Sequence, residues 1–159
     1  MIFVALGTQK FQFNRLLEAL DTYIDEGTLK EEIFAQIGAS DYKPRNYGYT
    51  DFMPADAYDN MIEKCDLLIT HAGVGTIMQG VEKNKPVIVC PRLQKYGEHV
   101  DDHQLEIADS FVELGFVTLC DENTSLIGSI SKARNADFRK YTSERQKTID
   151  CINEFLDNM

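Results

Sequence analysis

Residues 65–91 read "CDLLITHAGVGTIMQGVEKNKPVIVCP". An apolar run (66–70) leads through His71, Gly73 and Gly75 into a segment of helical character (73–84), and a second apolar run (85–91) follows. Strand, glycine turn, helix and strand in this order form a βαβ unit, whose two strands lie parallel. The same alternation extends outward in both directions. "IFVAL" (2–6) is a continuous apolar run and reads as a buried strand. Phe13, Leu16, Leu17, Leu20 and Ile24 follow at helical spacing, and Gly27 stops that helix. "EIFAQIG" (32–38) predicts a second strand and "YGYTDF" (47–52) a short third one. A short helix then starts at Pro54, with Asp56 as its N-cap. Beyond the central unit come a polar loop (92–103), a helix (104–115) ended by Gly115 and a strand (116–120). A further helix lies in "ENTSLIGSISKA" with Asn123 or Thr124 as cap, and a tail helix spans about 137–157. Tyr141, Ile149, Ile152, Phe155 and Leu156 share one face of that tail.

This pattern predicts one α/β domain over residues 1–159, Rossmann-like, with a mostly parallel sheet and helices on both faces. In such sheets ligands bind at the carboxyl ends of the strands. Both "GTQ" (7–9) and "THAGVGT" (70–76) occupy that position.

Composition narrows the function. The formal net charge of -10 argues against nucleic acid as a partner, because its phosphates would be repelled. No apolar run approaches the roughly 20 residues that cross a bilayer. The opening "MIFVALG" lacks the basic segment of a secretory signal. Cys65, Cys90, Cys120 and Cys151 form no C-x-x-C pair, and Cys65, Cys90 and Cys120, beside apolar stretches, read as reduced core or near-core thiols of a cytoplasmic protein.

Two stretches carry chemistry. Glycines at 73 and 75 permit a tight turn and close approach to a ligand. The N–H groups that open the next helix then point at an anion, aided by the helix dipole. Thr76 adds a hydroxyl, and His71 a hydrogen bond to a phosphate or leaving group. The plain alternative is that the glycines only make the turn. Neither G-x-x-x-x-G-K-[ST] nor a full G-x-G-x-x-G is present, since Met78 replaces the third glycine. The second stretch, "EHVDDHQ" (98–104), allows three readings: a metal site, an acidic helix start capped by Asp101 or Asp102, or a donor-sugar site. No H-E-x-x-H pattern supports the metal, and no metal cofactor is expected.

"ITHAGVGTIMQGVEKNKPVIVCPR", followed by "GEHVDDHQLEIA", resembles the C-terminal, donor-binding domain of family 28 glycosyltransferases. With "IFVALGTQKFQFNRLLEALD" at the start, the likeness covers nearly the whole chain. It points to stand-alone members: the soluble subunit of the two-component lipid-linked N-acetylglucosaminyltransferase, and its exopolysaccharide and capsule counterparts. The resemblance implies half of a GT-B enzyme, using a UDP-sugar and inverting the anomeric carbon. The sugar would be galactose or N-acetylglucosamine, and the acceptor a polyprenyl-diphosphate-linked saccharide. A membrane-associated partner subunit would hold that acceptor at the cytoplasmic face of the membrane, and the tail helix would help to dock it. Gly7 and Thr8 would line the cleft, and His71, Gly73, Gly75 and Thr76 would face the diphosphate. Asp102, His103 and Gln104 would meet the sugar. Gln79 departs from the pattern, because the family places a carboxylate there to hold the ribose hydroxyls; Glu82 is the expected substitute. That departure keeps open a non-catalytic, nucleotide-sugar-binding subunit. An unrelated α/β hydrolase or isomerase is the third reading, weakened by the absence of G-x-S-x-G.

Overall fold

The computed structural model describes residues 1–143. Six strands, β1 (Ile2–Ala5), β2 (Ile33–Gln36), β3 (Gly48–Thr50), β4 (Leu67–Thr70), β5 (Val87–Val89) and β6 (Thr118–Leu119), form one sheet in the order β3-β2-β1-β4-β5-β6. Every strand pair is parallel. Among the described residues four helices lie between strands, α1 (Asn14–Asp25), α2 (Ala55–Lys64), α3 (Val74–Glu82) and α4 (His103–Glu113), and α5 (Leu126–Asn135) follows β6. A 3-10 turn, Gln94–Tyr96, lies in the loop after β5. This is the Rossmann-like α/β domain that the alternation predicts.

The two sheet faces follow from the period of 2 along each strand. Ile2 and Val4 of β1 pack with Leu16, Leu17 and Leu20 of α1 and Ile130 of α5. Phe3 and Ala5 of the same strand face Ile62 of α2, Ile77 and Val81 of α3, and Ala108 of α4. The strands are buried on both sides, which is why they read as unbroken apolar runs. Each fully buried aliphatic side chain contributes about 1.5–3 kcal/mol. Cys65 and Cys90 are buried within these layers and Cys120 is half-buried; all three are free thiols.

Strand order reverses its direction of growth at β1, between β2 and β4. Ala5 of β1 and Thr70 of β4 are direct partners in the ladder. The loops that leave these two strands, at Gly7 and at His71, therefore start side by side at one end of the sheet. That is the crevice where ligands bind in open sheets.

Several local expectations shift. The cap of α2 is Pro54, and Asp56 sits inside the first turn. Pro54 is already extended, with ψ 152°, so the helix begins directly after it. The cap of α5 is Ser125, whose hydroxyl accepts from the Gly128 N–H at 3.0 Å. Thr124 is used elsewhere: its hydroxyl accepts from the Asp121 N–H at 2.9 Å, closing a turn before the helix. Residues 136–143 carry no helix, and the Arg139 N–H donates to the Gly115 carbonyl at 2.9 Å. The remainder of the expected tail helix lies outside the described residues. Among the described residues no helix is long and apolar enough to cross a membrane.

Candidate functional site

A cleft of about 440 Å³ opens over the β1–β4 crevice, and Gly7, Thr8, Gly75, Thr76 and Gln79 line it. These residues come from the loop after β1 and from α3, more than sixty positions apart and joined by the strand register. Gly7 has a left-handed backbone (φ +74°), which turns the chain away from β1 over the crevice.

The start of α3 forms the cleft's anion-attracting end. Its cap, Gly73, has no side chain to offer, and the first helical bond runs from the Ile77 N–H to the Gly73 carbonyl at 3.0 Å. The N–H groups of Val74, Gly75 and Thr76 precede that bond and have no acceptor in their own helix. A β-carbon added at Gly75 would meet nothing within 4 Å. Gly75 thus leaves open space above the amides.

Gly73 has the opposite surroundings. A β-carbon there would lie 2.4 Å from His71 Nε2, and one on Gly7 would lie 2.6 Å from His71 Cε1. The imidazole fills the gap between the two glycine backbones, 7% exposed, and does not line the cleft. Burial, reinforced by the Arg92 charge, pushes it down to about 4, so it is neutral at physiological pH. Any contact it makes with a phosphate is that of a neutral ring.

Two hydrogen bonds fasten α2 to α3 along the opposite wall. The Tyr58 and Thr76 hydroxyls lie 2.9 Å apart. Gln79 Nε2 donates to Asp59 Oδ1 at 3.2 Å. Tyr58 and Asp59 line the cleft, as do Met53 and Gln36. Gln36 Oε1 accepts from the Met53 N–H at 3.2 Å, which fixes the loop before α2. No local signal in the sequence marks these four residues. Their role depends on pairings 17 to 20 positions apart, with no local motif. Glu82, the expected substitute for a carboxylate at position 79, is exposed and lies outside the lining.

The acidic stretch before α4 sits apart from the cleft lining, and each of its polar side chains has a partner of its own. His99 Nδ1 lies 3.0 Å from Asp101 Oδ1, and His103 Nδ1 lies 3.2 Å from Glu106 Oε2. Asp101 Oδ1 also accepts from the His103 N–H at 3.1 Å, so it tethers the first turn of α4. Asp102 Oδ1 accepts from the Gln94 N–H at 2.8 Å. Among the described residues no three His, Cys, Asp or Glu side chains converge as a metal site. Gln104 is buried and joins two strand ends: its Oε1 accepts from the Ala72 N–H at 3.2 Å and the Arg92 N–H at 3.0 Å. Only its amide N–H groups remain for a ligand.

Below this, Arg92 is the largest fully buried side chain among the described residues. Its guanidinium donates to the carbonyls of Leu6 and Phe11 at 2.7 Å and of Gln12 at 2.9 Å. Burial lowers it to about 10, so it stays charged. Glu98, also fully buried, accepts two bonds from Arg15, at 2.9 and 3.0 Å, and one from the Leu93 N–H at 3.0 Å. This pair of anchors holds the Gly7–Thr8 loop against the loop after β5.

A parallel sheet with this strand order, and an uncapped helix start facing a cleft at the turnover, defines a Rossmann-type domain with its cleft at the carboxyl ends of the strands. More specifically, the chain belongs to the glycosyltransferase family 28 C-terminal domain, whose family model matches residues 1–157. A UDP-N-acetylglucosamine transferase subunit ALG13 from Saccharomyces cerevisiae is 39% identical over 77 residues, covering 48% of this chain and 36% of that protein. The Homo sapiens protein of the same name is 31% identical over 108 residues, which is 68% of this chain and 8% of that one. The match thus spans about a third of the yeast relative and far less of the human one. The solution structure of an ALG13 superposes with a TM-score of 0.50 at 25% identity, covering 84% of this chain and 83% of that one. The glycosyltransferase SnogD from Streptomyces nogalater gives 0.59 at 17% identity, over 84% of this chain and 34% of SnogD. The fold is that of one domain of a GT-B glycosyltransferase.

Proposed function

We propose that this chain is the donor-binding, catalytic subunit of a two-component inverting glycosyltransferase. Its donor is a UDP-sugar, with N-acetylglucosamine first and galactose second. The relatives' names, which specify UDP-N-acetylglucosamine and a subunit, support that order. The acceptor is a polyprenyl-diphosphate-linked saccharide, held by a membrane-associated partner at the cytoplasmic face. Exopolysaccharide or capsule assembly, the context expected from sequence, has no counterpart in those names.

The observation that carries this reading is the uncapped start of α3, opening into the cleft beside Gly7 and Thr8. When the sugar leaves UDP, negative charge grows on the diphosphate. The Val74, Gly75 and Thr76 N–H groups are already oriented there, as is the helix dipole. Preorganised donors of this kind stabilise the transition state without reorganising. Thr76 can donate its hydroxyl to the phosphate while accepting from Tyr58. Neutral His71 spaces the two glycine loops. The base that takes the acceptor proton comes from the partner's side of the cleft. In this reading Gly7, Thr8, Gly75, Thr76 and Gln79 surround UDP, and Asp102, His103 and the Gln104 amide, outside the lining of that cleft, are assigned to the sugar.

Thermal unfolding with UDP, UDP-N-acetylglucosamine and NAD tests this. UDP at a hundred times its dissociation constant adds about 2.7 kcal/mol of stability. UDP is expected to raise the midpoint and NAD to leave it unchanged. A midpoint unmoved by UDP and UDP-sugars at millimolar concentration refutes the reading.

A further inference from the structure

We propose that Asp59 is the residue that recognises the ribose of the donor, with Gln79 holding its carboxylate in place. This inference rests on the UDP-sugar reading above and assigns a specificity role to a residue on a different helix from the family's usual carboxylate.

A side-chain amide has a donor end and an acceptor end, whereas an ionised carboxylate only accepts. The contact of 3.2 Å between Gln79 Nε2 and Asp59 Oδ1 therefore fixes the amide with its nitrogen toward Asp59. Gln79 Oε1 is then left as an acceptor beside the cleft, and Asp59 Oδ2 is a second one. Both residues line the cleft, and Asp59 is exposed to it. Among the described residues no cation lies within ion-pair distance of Asp59. An unpaired carboxylate in a cleft built for a diphosphate repels the phosphates. It serves binding where the ligand presents hydrogen-bond donors in place of phosphate oxygens.

Position along α3 says where such donors fall. The diphosphate lies over the amides of Gly75 and Thr76. Gln79 is three to four residues further on, or about 5–6 Å along the helix at 1.5 Å per residue. In a nucleoside diphosphate the next group after the phosphates is the ribose, whose vicinal hydroxyls are donors. The Asp59–Gln79 pair presents acceptors at that distance. Charge-assisted hydrogen bonds are the stronger class. The carboxylate missing from position 79 is thus supplied across the cleft wall by α2.

Isothermal titration with UDP and 2′-deoxy-UDP tests the assignment on the wild type, Asp59→Asn and the exchanged pair Asp59→Asn/Gln79→Glu. Asp59 is exposed, so the variants are expected to melt with the wild type. A charge-assisted bond corresponds to about a 10- to 100-fold preference for UDP over the deoxy analogue. That preference is expected in the wild type, lost in Asp59→Asn through weaker UDP binding with 2′-deoxy-UDP unchanged, and restored in the exchanged pair. If Asp59→Asn keeps the wild-type ratio, or the wild type binds both nucleotides equally, the inference is overturned and the UDP-sugar reading stands. If the wild type binds neither nucleotide, both fall together.

Discussion

Replacing Gly75 with alanine separates ligand binding from folding. Gly75 is the second residue of α3, and a β-carbon there meets nothing within 4 Å. In a helix, glycine is less favourable than alanine by about 0.5–1 kcal/mol. The substitution should therefore stabilise the free protein by about 0.5 kcal/mol, raising the midpoint by roughly 1–2 °C for a domain of this size. The same methyl group projects into the open space where the diphosphate is to lie. It would hold the phosphate off one or two amides, each worth about 1.5–3 kcal/mol as a bond to a charged group. UDP affinity should fall about 10- to 10,000-fold. Gly73→Ala is the control. Its backbone (φ -84°, ψ 112°) suits any residue, but its β-carbon would lie 2.4 Å from His71 Nε2. Overpacking of this kind costs about 1–3 kcal/mol, so that variant should melt below the wild type. Calorimetric melting and titration with UDP read both quantities. If Gly75→Ala melts no lower than the wild type and binds UDP equally well, no diphosphate sits on the start of α3. If it melts several degrees lower, the space above Gly75 is not open.

His71 gives a pH signature. Its native value of about 4 lies below the ordinary 6.5, so the unfolded chain binds the extra proton between them. Its contribution, about 3 kcal/mol, is fully present above pH 6.5 and lost as pH falls toward 4. Urea unfolding between pH 7 and 4 should show a steeper loss for the wild type than for His71→Gln; parallel profiles would refute it. Gln104→Ala strips the acceptor from two buried N–H groups and should cost about 1–3 kcal/mol. Gln104→Glu keeps the acceptor and removes the amide donors. It should fold and lose sugar transfer in the reconstituted complex at least tenfold; full transfer would remove Gln104 from the sugar site.

The layered fold was legible because apolar runs and helical spacing along the chain carry it directly. Phe13 to Ile24 and residues 66–70 are local signals, and the structure places helix and strand there. Caps were less legible, because Ser, Thr and Asn compete for neighbouring turns: Thr124 closes a turn with Asp121, leaving Ser125 as the cap. The loop after β5 read as polar from its composition. Its Arg92 is nevertheless fully buried, because carbonyls of Leu6, Phe11 and Gln12 receive it, 80 to 86 positions away. Of the cleft, the glycine loops were legible and the α2 wall was not. Asp59 sits on the polar face of an ordinary amphipathic helix, and only the tertiary contact with Gln79 distinguishes it.

The imidazole between Gly7 and Gly73 also bears on how such chains can diverge. Both positions are closed to larger residues by one ring, so their histories are tied to that of His71. A descendant that replaced His71 with a small residue would release position 73, whose backbone accepts any side chain. Position 7 would stay glycine, because its left-handed backbone is a second and separate constraint. Two glycines that look equivalent in one sequence should therefore drift apart across many, with 73 tracking 71 and 7 holding fast.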